Sequence, residues 1–196
     1  MFPSFTEKTG VNIQPYKELS PKQVAIRRLL VDTAVSLLGM KTRLYDSPDR
    51  GLTPEDGFDC SGFILYLLHE AQKQESNLFI PERTRHANEI FQHLGVYVHA
   101  ARRLPGDIVI HSRDGYGPTH VSLYVGQDAL GQSWRIDAGP GRGSPVVEAS
   151  TFVPRRITPQ PPRVPLDLAP VYIVSPVGYV RPIYVPQPGQ RWMVPI

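Results

Sequence analysis

The hydrophobic period of this sequence switches at Leu104-Pro105-Gly106-Asp107, and that switch leaves few architectures open. Upstream, apolar residues recur at helical spacing; downstream they come in short β-rich runs bounded by glycine or proline. Ile26, Leu29, Leu30, Ala34 and Leu37 share one face of a helix that opens at Ser20-Pro21, a cap with proline at the first helical position, and ends before Gly39. Cys60, Phe63, Ile64, Leu67, Leu68 and Ala71 mark a second helix, capped by Asp59. Ala87, Ile90, Phe91 and Leu94 mark a shorter third one from Thr84 to Leu94. Strands are expected at Asp107–His111, His120–Val125 and Ser133–Ala138. Helices first and strands afterwards predict an α+β fold with N-terminal helices packed on an antiparallel β-sheet.

A chain of 196 residues can bury one sizeable core. The folded unit is expected over residues 20–153, after an N-terminal extension, 1–19, and before a proline-rich C-terminal extension, 154–196, packed on the domain. In that tail prolines alternate with Val, Ile and Tyr, as in Val171-Tyr172-Ile173-Val174 and Pro182-Ile183-Tyr184-Val185. Proline is excluded from central strands, so the tail reads as edge strands or extended segments wrapped on the domain; the alternative is a disordered arm that binds a protein partner. The formal charge is +3, with Lys and Arg scattered apart from the pairs Arg27-Arg28, Arg102-Arg103 and Arg155-Arg156. That is not the aromatic-lined basic stripe of a nucleic-acid binder, whereas a weakly basic surface suits an anionic polymer. The first residues, Met1 to Lys8, lack the basic flank and apolar run of a secretory signal, and no stretch approaches the roughly 20 apolar residues of a membrane span. Location is left open between the cytoplasm, export without a cleaved leader, and a chain whose leader has been removed.

The single cysteine, Cys60, cannot form an internal disulfide, which turns attention to its reactivity. It sits in Asp59-Cys60-Ser61-Gly62-Phe63, in the first turn of the second helix, where the macrodipole and the unpaired N–H groups both favour a thiolate. The competing reading places it on the helix's apolar face, which its spacing to Phe63 and Ile64 permits. On the strands, a hairpin closing around Gly126–Gln132 can be registered by setting Val121 against Ile136 and Leu123 against Trp134. The other face then carries His120 opposite Asp137, Ser122 opposite Arg135 and Tyr124 opposite Ser133. A carboxylate beside an imidazole fixes its tautomer and stabilises the imidazolium, as in a nucleophile–base–orienter triad; alternatively the two form a surface pair across an exposed hairpin. A helix with its N-terminus at the His120 end of the sheet would bring Cys60, His120 and Asp137 together.

Four ordered motifs carry a resemblance. Asp59-Cys60-Ser61-Gly62-Phe63, Leu104-Pro105-Gly106-Asp107-Ile108-Val109, His120-Val121-Ser122-Leu123-Tyr124-Val125-Gly126 and Ile136-Asp137-Ala138 resemble, in order and spacing, the NlpC/P60 family of cell-wall cysteine peptidases. Ile80-Pro81-Glu82-Arg83-Thr84 is similar to the Pro-Arg stretch that the family carries between its cysteine and its strands. The resemblance spans roughly residues 24 to 140. It implies a papain-like core and hydrolysis of amide bonds in peptidoglycan stem peptides, often between D-glutamate and a diamino acid. By position it implies Cys60 as nucleophile, His120 as base and Asp137 at the third polar site.

Two departures from the family pattern stand out. The third position is usually His, sometimes Asn or Gln, and an acid there should make His120 more basic. The loop before the cysteine usually holds a Tyr and a Gly-Gly pair near a Trp, but here reads Leu44-Tyr45-Asp46-Ser47-Pro48-Asp49-Arg50-Gly51, with Tyr45 as the equivalent.

In the expected mechanism the N–H of Cys60 or its neighbour Ser61, helped by the Tyr45 hydroxyl, holds the oxyanion. Arg83 and Arg85 are placed to meet a substrate carboxylate, and Arg135 shares the hairpin's polar face with the same two readings, substrate contact or solvated surface. His69, His86, His93, His99 and His111 show no ligand spacing backed by acidic or thiol partners, so neither a metal nor another cofactor is expected. His111 is a competing neighbour for His120. The rival functions are a catalytically idle module of the same fold that binds cell wall or protein, and a thiol amidase or acyltransferase with a non-peptidoglycan substrate.

Overall fold

Proline at a first helical position loses no hydrogen bond and arrives with a helical φ, and helix α1 runs Pro21–Ser36. The computed structural model describes residues 21–43, 53–74, 78, 80, 86–87, 90, 96–97, 103–111, 120–139, 146–152 and 171–175. The buried stripe of α1 is Ile26, Arg27, Leu30, Val31 and Ala34, with Leu37 in the core just past its end. The helix gives way where Gly39 takes a φ of +87°, and the Gly39 N–H turns away to donate to Val147 O at 2.9 Å. Helix α2, Cys60–Gln74, buries Phe63, Ile64, Leu67, Leu68 and Ala71 at the expected spacing. Of the third predicted helix, Ile90 is fully buried and its N–H donates to His86 O at 2.9 Å, one helical turn; the remainder of that expectation lies outside the described residues.

The strands form one antiparallel sheet: β1 Val96–Tyr97, β2 Ile108–His111, β3 His120–Gln127, β4 Ser133–Asp137, β5 Glu148–Phe152 and β6 Val171–Ser175, in the order β1-β6-β2-β3-β4-β5. The expected α+β class is borne out. Ile108 and Ile110 of β2, Val121, Leu123 and Val125 of β3, and Ile136 of β4 join the helical side chains in one core. Each such side chain removed from water contributes about 1.5–3 kcal/mol.

Strands β1 and β5 were not expected from the sequence, and three further details differ from the sequence-based expectation. The β3–β4 register pairs Leu123 with Ile136 and Tyr124 with Arg135, two residues away from the expected pairing, and a bulge between Tyr124 and Gly126 then sets Gly126 against Trp134. Because side chains alternate with a period of two, the shift leaves every side chain on its expected face. Strand β3 also runs on to Gln127, so the turn is tighter than expected. Asp128 organises it: Oδ1 accepts from the N–H of Leu130 and of Gln132, both at 2.9 Å, and Oδ2 accepts from Trp134 Nε1 at 3.0 Å. Last, β6 comes from the proline-rich tail but lies inside the sheet, bonded to β2 on one side and β1 on the other. The prolines that argued for an edge, Pro170 and Pro176, flank these five residues and leave every backbone N–H within them intact.

The point where the hydrophobic period switches is a type II turn. Pro105 and Gly106 occupy its central positions, Gly106 at a φ of +90°, and the Asp107 N–H closes it on Leu104 O at 3.0 Å. Arg27 of α1 reaches it from 80 residues away: Nη1 donates to Asp107 Oδ1 at 2.8 Å and to Pro105 O at 3.0 Å, with both side chains buried. A Cβ on Gly106 would come within 3.1–3.2 Å of the Arg27 Cα, Cβ and Cγ, so glycine is needed for the close approach as well as for the φ. This buried ion pair ties α1 to the entry of β2, and so fixes the helical layer to the sheet.

Candidate active site

The tip of α2 is held from below by Phe58. Its ring is fully buried between Phe63 and Tyr66, at centroid distances of 5.8 and 5.3 Å, and both its backbone groups are used. Its N–H donates to Lys41 O at 3.1 Å and its carbonyl accepts from the Arg43 N–H at 2.8 Å. Asp59 follows as the expected cap: Oδ1 accepts from the Gly62 N–H at 2.6 Å and from Ser61 Oγ at 3.1 Å, while the backbone oxygen accepts from the Phe63 N–H. Cys60 is then the first helical residue, partly exposed and a free thiol. The first N–H groups of a helix have no acceptor within it, and here the Asp59 carboxylate takes that of Gly62.

His120 opens β3 and Asp137 closes β4, on the sheet face opposite the apolar one. His120 Nε2 and Asp137 Oδ2 are 2.9 Å apart, with Asp137 fully buried and His120 nearly so. With Nε2 turned to the carboxylate, the remaining ring nitrogen, Nδ1, is the one available to the Cys60 thiol, which also lies within hydrogen-bonding reach of the imidazole. Burial pushes His120 toward its neutral form, but the negative charge and hydrogen bond of Cys60 and those of Asp137 outweigh it and raise the pKa to about 9. The imidazole is therefore set to hold a proton through neutral pH, between the Cys60 sulfur and the Asp137 carboxylate. In the observed register Asp137 lies diagonally across from His120 rather than directly opposite, and the carboxylate reaches across the ladder.

Two further residues, for which the sequence left other roles open, belong to this cluster. Arg135 is fully buried rather than solvated or open to substrate. Its Nε is 3.4 Å from Asp137 Oδ2 and donates to Ser150 Oγ at 3.1 Å, and its Nη1 is 2.9 Å from His111 Nε2. His111, directly across the β2–β3 ladder from His120, packs against that ring at a centroid distance of 5.4 Å, with its Nε2 3.0 Å from Ser122 Oγ. It neighbours His120 without displacing Asp137 from Nε2. The sign available in the sequence was alternation, since Arg135 and Asp137 flank core residue Ile136 and share a face. Ser61 is buried with its hydroxyl on Asp59, so its side chain serves the cap. Tyr45, Arg83 and Arg85 lie outside the described residues. Among the described residues no group of three or more His, Cys, Asp or Glu side chains is arranged to hold a metal ion.

A match to the NlpC/P60 family model covers residues 47–139, from the loop before Cys60 to just past Asp137. This is an NlpC/P60 segment. It includes Cys60, His120 and Asp137, along with the Pro-Arg stretch and the Leu-Pro-Gly-Asp turn. The gamma-DL-glutamyl hydrolase of Bacillus subtilis is 32% identical over 105 residues, which cover 52% of this chain and 22% of that protein. The chain thus spans about a fifth of the curated relative it matches. Among solved structures, an NlpC/P60 family protein from Bacillus cereus superposes with a TM-score of 0.50 at 20% identity, covering 74% of this chain and 39% of that one. The peptidoglycan hydrolase RipB from Mycobacterium tuberculosis does so with a TM-score of 0.51 at 18% identity, covering 87% and 76%. At these identities the superpositions establish a shared NlpC/P60 fold.

Proposed function

We propose that this chain is a cysteine endopeptidase or amidase that hydrolyses amide bonds in peptidoglycan stem peptides, the favoured bond joining D-glutamate to a diamino acid. The observation that carries the chemistry is His120, buried between the Cys60 thiol at a helix tip and the Asp137 carboxylate. The family match and the name of the Bacillus subtilis relative support the substrate class.

In this reading Cys60 Sγ attacks the amide carbon, forming the C–S bond and moving the carbonyl electron pair to oxygen. Backbone N–H groups of Cys60 and Ser61 receive that oxyanion, joined by the Tyr45 hydroxyl. Collapse breaks the C–N bond, and the His120 imidazolium gives its proton to the departing amine. The imidazole, now neutral, takes a proton from water, whose oxygen attacks the thioester, and the acid product leaves as the thiolate re-forms. Asp137 keeps its hydrogen bond to Nε2 throughout, stabilising the imidazolium without taking up its proton. Arg83 meets a carboxylate of the stem peptide.

Purified peptidoglycan incubated with the protein, with fragments resolved by mass, tests this. Release of fragments with a new amino terminus on the diamino acid is expected, and none from Cys60→Ala. Equal release by the variant would remove the thiol mechanism, and none by either protein would favour the idle binding module or a different amide substrate.

A further inference from the structure

One oxygen in this site faces two cations. Asp137 Oδ2 is 2.9 Å from His120 Nε2 and 3.4 Å from Arg135 Nε. The guanidinium is held to that oxygen from behind. Nε also donates to Ser150 Oγ on β5, and Nη1 lies 3.2 Å from Nδ1 and 2.9 Å from Nε2 of His111 on β2. A guanidinium only donates, so at least one nitrogen of His111 carries a lone pair toward it and that ring is neutral. Arg135 therefore brings a net positive charge into a fully buried position, one carboxylate away from the catalytic imidazole. Among the described residues the other ionisable groups around His120 are Cys60 and Asp59 at the tip of α2, His111 on β2, and Glu148, the β5 register partner of Asp137.

We propose that Arg135 is a positioning residue that divides the Asp137 carboxylate with His120, so limiting how strongly the imidazolium holds its proton. The inference rests on the catalytic reading of Cys60 and His120. Asp137 facing His120 alone would bind the imidazolium more tightly, leaving it a weaker acid toward the departing amine. Sharing the oxygen with Arg135 keeps the carboxylate ionised and its orientation fixed while drawing off part of its field. His111 and Ser150 act through Arg135 by aiming the guanidinium.

The titration of the His120 ring, followed by NMR of the histidine nitrogens in the full chain, reads this independently of turnover. Arg135→Met should raise the His120 midpoint by about one unit. The basic limb of kcat/KM should move up with it, and kcat at neutral pH should fall with little change in KM. Arg135→Lys, which keeps the charge, should restore most of the wild-type midpoint. Ser150→Ala loosens the aim of the guanidinium, and should move the midpoint up, by less than Arg135→Met, even where the methionine variant does not fold. A midpoint that stays put or falls in Arg135→Met, or one that is unmoved or lowered by Ser150→Ala when Arg135→Met is unfolded, would overturn the proposal. If peptidoglycan is not cleaved at all but the midpoints shift as stated, the catalytic reading fails and the division of the carboxylate stands.

Discussion

Replacing Asp137 by Asn removes a charge and almost no volume, and its effect can be worked out in advance. The carboxamide oxygen can still accept from Nε2–H, so the imidazole keeps its orientation while losing a charge-assisted hydrogen bond. Such a bond contributes about 1.5–3 kcal/mol, or roughly 1–2 pKa units at 1.36 kcal/mol per unit. His120, held up to about 9 by Cys60 and Asp137 against its burial, should then titrate roughly 1–2 units lower. The sign follows from which form reacts. A raised pKa keeps the proton donor present up to the midpoint and loses it as pH rises through it, so Asp137→Asn should bring the basic limb of kcat/KM down by the same amount. With the midpoint at roughly 7–8 the imidazolium stays at least half populated at pH 7, so the loss of kcat/KM should be no more than about two-fold there and roughly 5- to 50-fold at pH 9. The assay pairs the NMR titration of the histidine rings, with His120 assigned by comparison with His120→Gln, with the pH dependence of fragment release. A variant that melts like wild type, titrates at the wild-type midpoint and keeps its activity would show that the carboxylate is a bystander.

Two further outcomes test how the cluster is held in place. Arg27→Met leaves the Asp107 carboxylate buried without the cation it now meets at 2.8 Å, and should cost about 3–5 kcal/mol, read as the shift in urea midpoint at unchanged slope. An Arg27→Met, Asp107→Leu double variant that recovers much of this loss would show that the penalty is the stranded charge, whereas an equal or larger loss would point to packing of the arginine stem. Asp59→Ala removes the cap of α2 and should lower stability by about 0.5–2 kcal/mol in a thermal or urea melt; no loss would mean that the Gly62 and Ser61 bonds to its carboxylate add nothing net.

The layers were legible because they rest on periodicity. The apolar stripes of α1 and α2 and the alternation along β2, β3 and β4 were visible in the sequence, and alternation tolerates a register error of two residues without moving a side chain to the wrong face. The bulge had its own signal: Gly126 sits inside an otherwise β-rich run and takes a φ of +133°, a conformation that glycine adopts readily and that accompanies an extra residue in a ladder. The place of β6 had less. Its five residues read as a strand, but the proline density of the whole tail pointed to an edge, and pairing with β2 depends on where the chain returns, which no local pattern encodes.

The site divides along the same line. Cys60 at a capped helix start and a His and an Asp on one face of a hairpin follow from short-range rules, and both were readable. The buried cations were not. An arginine in a sequence looks solvated until its counter-charge is known, and for Arg27 that partner is Asp107, 80 residues on. Arg135 was harder still, because its partners sit on three strands: Asp137 on its own, Ser150 on β5 and His111 on β2. Burying a guanidinium is strongly unfavourable unless several acceptors converge on it, so its position argues that the carboxylate beside it is ionised. An ionised Asp137 is also what a proton-holding His120 requires. The departure at the third position, an acid where the family usually has a neutral or basic side chain, is thus accompanied in this fold by a buried cation that compensates its charge.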